Sequence, residues 1–442
     1  MKNNLKKLFV SLLVLSSVHY THAQSYFGGT VDNYSGIHSI LVNPGNAAES
    51  RMKLDLNLFS VSAFVGNDYL SIDLSDIESF SDGFDFDSDT EKNPTNANNF
   101  FGNVDILGPS ALFNLNEKSS IAITTRARGF FNLLNIAGEL YELTASEDEV
   151  ESFDLTMEDL SGVVHVWGEV GVTYSRVILE KDKHFLKGGA TLKYLVGAGG
   201  VYGLSPMLRG NYDATTEILA TNGELSYGFT SGFDSEEISF SEVTGGLGAD
   251  LGIVYEFRDA DNWDENPYKL RLGLSVTDIG SINYKETSDF RYDMNATIDA
   301  NEFDEYDLED VLENNYNGTE TLQDKKFGLP TAIQIFADYS ITNRFFVSAQ
   351  GAISVRKVSD IPVSNIINAF SVTPRFEMRW ISVYSPVSVR QYDSSLAWGF
   401  GLRAGPLTVG SGSILTNLIS SSSKTADVYV ALKIPLYKAS PY

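Results

Sequence analysis

The stretch GVVHVWGEVGVTYSRVIL, residues 162–179, sets Val164, Val166, Val170, Val172 and Tyr174 on even positions. His165, Trp167, Glu169, Thr173 and Ser175 fall on the odd ones. Side chains of a strand point alternately to opposite faces, so this is one strand with an apolar face and a polar face. The pattern recurs around Ile121, Leu192, Leu251, Leu272, Phe400 and Val430, in runs that often hold 12 or more residues. Soluble strands typically hold about 5–6 residues, whereas crossing a bilayer at a tilt takes about 9–11. In LDLNLFSVSAF the apolar phase slips between Leu58 and Phe59, which predicts a bulge.

The first residues give the chain its compartment. Lys2, Lys6 and Lys7 precede an apolar run over 8–18 and then Thr21, His22 and Ala23, the order of a secretory signal peptide. Cleavage is expected after Ala23. The chain has no cysteine, which excludes a disulfide scaffold, thiol chemistry and a lipid-modified cysteine. Removing the leader leaves 419 residues with 29 basic against 58 acidic side chains, a balance of −29. Such a chain repels nucleic acid. A single barrel is the main way for one β domain to stay undivided at this length.

Connections alternate in size. Tight turns are expected at 116–118, 180–183 and 341–344, looser ones at 257–267 and 385–394. Long segments are expected at 66–103, 132–162, 199–243, 284–326, 357–368 and 411–424. One strand on each side of every connection gives 12, and a hairpin around Thr221, Asn222 and Gly223 raises the count to 14. Short turns on one rim and long loops on the other describe an all-β, transmembrane, antiparallel up-and-down barrel with both termini in the periplasm. Acids gather in the long segments, as in SDIESFSDGFDFDSDTE and DANEFDEYDLEDVLE. The polar faces carry Arg126, Arg128, Lys187, Lys193, Lys269, Arg271, Arg379, Arg403 and Lys433 against Glu169, Asp250, Glu256, Asp338 and Glu377, with His165 beside them. Burying fourteen charges in a dry core would cost roughly tens of kcal/mol. The apolar face therefore looks outward to lipid, and these residues line a polar bore that is expected to be net-basic. Tyr194, Tyr255, Tyr284, Tyr339, Trp380 and Tyr384 suit interfacial girdles.

Residues 25–50 carry no alternation but much Gly, Asn and Ser, and end in Asn43, Pro44, Gly45, Asn46 and Ala47. Here the sequence resembles outer-membrane barrels of the fatty-acid-transporter-like superfamily, whose N-terminal hatch commonly ends in an Asn-Pro-Ala-type turn; Gly45 stands where that pattern has Ala. With LRLGLSVTDIGSINY and LRAGPLTVGSGSILTNL, it is similar to an uncharacterised barrel family of Bacteroidota-type bacteria. Some relatives carry a peptidoglycan-binding domain after the barrel, which is not expected after Tyr442. The resemblance implies a fold and a location, with 1–23 a leader, 24–52 a hatch in or near the lumen, and 53–442 the barrel. It implies no substrate.

Motifs for catalysis are missing. His38, His165 and His184 are scattered, without metal-ligand spacing, and no G-x-S-x-G occurs. Ser421 and Lys424 fit S-x-x-K only within a Ser-rich loop. The acidic run 82–89 fails as a calcium loop, since counting from Asp85 puts Thr90 and Asn96 where its Gly and Glu belong, leaving loose divalent bridging to lipopolysaccharide as its one metal reading. Segment 305–316 suits a short surface helix with Tyr306, Leu308 and Leu312 along one side. No enzyme, cofactor or metal site is expected. Two functions remain: a channel or transporter for small anionic or amphipathic solutes, and a non-conducting accessory barrel of a secretion, gliding or surface-assembly machine. Outer-membrane lipid, lipopolysaccharide and a secreted or surface protein are the expected partners.

Overall fold

A strand with two such unlike faces turns one to an enclosed interior and the other outward. The computed structural model describes residues 28–73, 90–145, 150–231, 233, 243–258, 268–356 and 361–438; the leader and the acidic run 82–89 lie outside them. Fourteen antiparallel strands close into a barrel. Met52–Asn67 seals the ring by pairing with Thr425–Tyr437, Ser62 opposite Tyr429.

The wall runs through Asn98–Leu107 with Ser110–Asn114, then Ser119–Ile136, Phe153–Lys181, His184–Asp213, Thr244–Phe257 and Leu270–Asp293. It continues with Ala332–Ser340, Phe345–Ser354, Ala369–Glu377, Ile381–Tyr384 with Val387–Arg390, Asp393–Trp398 with Phe400–Ala404, and Leu407–Ser411. Pro386, which has no N–H to donate, separates the halves of one strand.

The number of strands is as expected, but two of them come from other residues. The hairpin expected to turn at 221–223 turns at 214–217 instead, and its second strand, Ile218–Phe229, expected over 224–230 as wall, lies above Thr244–Phe257. Both bridge the gap between His184–Asp213 and Leu270–Asp293 at different heights. The missing pair comes from short turns at 378–380 and 405–406. The turn expected at 385–394 is instead a strand with its bend at 391–392, on the long-loop rim.

The apolar face looks outward. Leu192 and Leu247 are 72% and 74% exposed, while Arg126, Lys193, Arg403 and Lys433 are buried. The predicted bulge is present: Asn57 faces Lys433 and Phe59 faces Leu432, so Leu58 is extra and both Leu58 and Phe59 are exposed. Tyr194, Tyr339 and Trp380 are exposed and Tyr255 is half-buried. Tyr284 and Tyr384 turn inward instead. A second bulge beside Asp278, whose φ is +57°, inverts the phase of its strand, which carries Ile282 and Tyr284 to the inside. Tyr384 shares the inner face of its strand with Ser382, and its hydroxyl meets that of Tyr429 at 2.7 Å.

Phe153–Lys181 and His184–Asp213 hold 29 and 30 residues, far more than the membrane requires. Their surplus, with Ile218–Phe229, the end of Leu270–Asp293 and Asn317–Gly328, forms an outer sheet with its own core. Helix Leu308–Asn315 buries Val311 and Leu312 on that core and leaves Tyr306 and Leu308 exposed.

Candidate functional site

Residues 28–51 fill the half of the bore toward the short turns. A short helix, Ile37–Ile40, and a single 3-10 turn, Pro44–Ala47, are the regular structure they hold. Asn43 caps the turn: its Oδ1 accepts the Gly45 N–H at 2.9 Å, and its Nδ2 donates to the carbonyls of Ile253 (3.0 Å) and Leu274 (3.2 Å) on adjacent wall strands. Asn46 donates to the Ser39 carbonyl at 3.1 Å. Pro44 lies against Gly189, where a Cβ would come 2.5 Å from the Pro44 carbonyl. The floor under the turn is therefore glycine because nothing larger fits.

Walls on all sides hold this segment. Arg403 donates to Asp32 at 3.1 Å, and Lys433 to the carbonyls of Tyr34 and Ser35 at 2.7 Å each. Arg271 donates to the Val31 carbonyl at 2.7 Å, Glu377 accepts the Asn33 N–H at 3.0 Å, and Lys187 reaches Glu49 at 3.2 Å. Only a segment inside the ring can touch so many of its strands.

The expected bore residues fall into separate clusters. Arg126, Arg128, Glu169, Lys193 and Asp250 form a belt across neighbouring strands, joined by Asp105 and Asp278. Arg126 grips Asp105 through two hydrogen bonds, one of 2.7 Å, and meets Glu169 at 3.3 Å. Lys193 bridges Asp250 (2.9 Å) and Asp278 (2.6 Å), and Arg128 meets Asp278 at 2.9 Å. Lys187 and Glu256 pair at 2.6 Å with Arg258 beside them. Asp338 accepts two 2.7 Å hydrogen bonds from Arg375, and Arg271 reaches it at 3.1 Å. His165 is not paired with Glu169. It meets the Tyr284 hydroxyl at 3.1 Å among the rings of Trp167 and Phe327.

Two expected residues stand outside the bore. Arg379 is exposed in the turn 378–380, over the ring of Tyr437. Lys269 caps the Ser340 carbonyl at its strand end, over the outward ring of Tyr339. A strand that ends at the rim no longer dictates a facing.

The interior is not net-basic. Ten cations and twelve carboxylates are buried among the described residues. Sequence reasoning missed Asp55, Asp105, Asp278, Arg258, Arg375, Arg390 and Asp427. Asp105 was recoverable, since it alternates with Val104 and Ile106, whereas the bulge hid Asp278.

A second closure enters from the long-loop rim. Residues 361–368, expected as an external loop, fold inward. Asn132 and Asn365 exchange reciprocal hydrogen bonds of 3.1 and 2.8 Å, and Val363 pairs with Gly328. Between the two closures lies a cavity of about 100 Å³, room for only a few waters. Arg126, Arg128, Asp278 and Arg390 line it with Phe64, Phe101, Phe130 and Ile367.

The profile of a family described as "Family of unknown function (DUF5723)" matches residues 44–412. No curated protein matches the chain. Among solved structures, the Ralstonia pickettii toluene transporter TbuX is 10% identical, with a TM-score of 0.44 over 91% of this chain and 95% of its own. The Pseudomonas putida toluene transporter TodX is 10% identical, with a TM-score of 0.44 over 94% and 98%. A Pseudomonas aeruginosa FadL homologue is 10% identical, with a TM-score of 0.42 over 90% and 93%.

Proposed function

We propose, for a chain that belongs to the family of unknown function DUF5723, that the barrel is an outer-membrane channel or transporter held closed in its resting state. One observation carries the reading: a cavity lies between two closures, each packed against the wall by hydrogen bonds or ion pairs. A barrel of about 14 strands leaves an interior wide enough to leak unless something fills it. The closures fill it while leaving a waypoint on the axis. Paired charges, three arginines with Asp278, beside apolar side chains at that waypoint suit a small amphipathic solute. Export through the leader would set the short turns and both termini in the periplasm and the acidic loops outside.

Planar-bilayer recording tests this. The wild-type chain is expected to be nearly silent. Asp32→Asn with Glu49→Gln, which weakens two ionic attachments of the N-terminal segment, is expected to give stepwise conductance. Silence in both would overturn transport and favour the second reading, a non-conducting accessory barrel. That reading draws on the outer sheet, whose separate core builds a surface that a pore does not need. Its partner would be a secreted or surface protein, and the acidic loops would face lipopolysaccharide.

A further inference from the structure

We infer that the short-turn rim carries a binding site for the phosphate headgroup of an anionic glycerophospholipid, built on Arg344 and Arg379. The inference rests on the membrane placement proposed above. The two arginines come from neighbouring turns, since the Glu377 N–H donates to the Arg344 carbonyl at 2.9 Å. Both side chains are exposed. Neither makes a salt bridge among the described residues, and the adjacent carboxylate Glu377 is already held by Arg375 and Asn33.

The surroundings fix the ligand class. Ile341, Phe345, Met378, Trp380 and Ile381 are all exposed beside the arginines, a patch suited to acyl chains. Arg379 is preorganised: its guanidinium lies 4.6 Å from the centre of the Tyr437 ring, and the Tyr437 hydroxyl donates to its carbonyl at 2.8 Å. Trp380 meets the same ring edge-on at 5.4 Å. Indole and phenol groups settle at the headgroup level, and unpaired guanidinium groups at that depth match phosphate oxygens in shape and charge. A phosphodiester whose tails cover the apolar patch satisfies both halves; a free phosphate satisfies only one. The site also touches the plug, because Tyr437 packs against Tyr34 at 5.8 Å.

The full chain in detergent, equilibrated with equal phosphatidylglycerol and phosphatidylcholine, is examined by native mass spectrometry. Preferential retention of phosphatidylglycerol is expected, falling by roughly fivefold per arginine in Arg344→Glu/Arg379→Glu. The control Arg176→Glu/Lys181→Glu, with the same charge change elsewhere on the rim, keeps it. Unheated electrophoretic mobility verifies that each variant is folded. Equal retention of both lipids by the wild type, or an undiminished preference in the double variant, overturns the site. Displacement of the lipid by millimolar inorganic phosphate overturns the lipid assignment in favour of a soluble anion. A chain that takes up no lipid at all sinks the membrane reading, and this site with it.

Discussion

Asn43 commits its whole side-chain amide to the N-terminal segment, accepting from Gly45 and donating to carbonyls on two wall strands. Asn43→Ala should cost about 1–3 kcal/mol per buried carbonyl left unpaired. Asn43→Asp, though isosteric, should be worse, because it sets a negative charge against two carbonyl oxygens. Because the chain has no cysteine, Ser39→Cys, buried in the plug, is a unique reporter: maleimide labelling should be slow in the wild type, faster with Ala and fastest with Asp. Equal rates would remove Asn43 from plug retention. The ion pair of Asp32 and Arg403 behaves differently. Arg403→Met leaves a buried carboxylate without its counter-ion, at about 3–5 kcal/mol. Adding Asp32→Asn should recover much of that loss in urea unfolding, since the Tyr34 N–H keeps its acceptor; a double variant as unstable as the single one refutes the pairing. The Asn-Pro-Gly-Asn turn was legible in the sequence through the resemblance its residues carry, not through any partner it makes. Its partners on Ile253 and Leu274 were not, since sequence separations of 210 and 231 leave no local trace.

At the scale of elements, legibility followed the turn chemistry. The long strands and the bulge at Leu58 could be read because alternation is a property of the strand itself. The turn 378–380, Met-Arg-Trp, holds no Gly, Pro, Asn or Asp to mark it, so two wall strands merged. Gly405, at φ +58°, did carry the signal, but only five residues, Leu407–Ser411, follow it before the next loop. The inward fold of 361–368 was hidden because its anchors, Asn132 and Gly328, lie on other strands. Two closures in series give a specific expectation. Replacing 361–368 with a Gly-Ser linker should leave conductance near zero while the plug is intact, and raise it further in the Asp32→Asn/Glu49→Gln background. A linker variant that conducts alone would make the outer segment the sole gate.

For the whole molecule, the acidity and the architecture answer different questions. Among the described residues the buried charges nearly cancel at ten against twelve, so the described interior does not carry the acidity. What decides the architecture is the facing of the apolar side chains. Leu192 and its cross-strand neighbours Val172 and Ala249 lie on the outer face, where Leu192 is 72% exposed, while Thr191 one position earlier is buried and bonded to Thr173 at 2.8 Å. In water, Leu192→Arg would cost nothing and would raise solubility. At the middle of a bilayer it should cost about 2–4 kcal/mol, falling to about 0–1 near the interfaces. Refolding into phosphatidylcholine vesicles, followed by urea titration, reads the difference directly. Arginine at Leu192 should shift the midpoint strongly, and arginine at Trp380, on the rim, only slightly. Thr191→Ser, which keeps the inward hydroxyl, should leave the midpoint near wild type. Equal tolerance at the two outer positions would mean that no hydrocarbon surrounds the wall. The outward leucines would then need a protein partner to cover them.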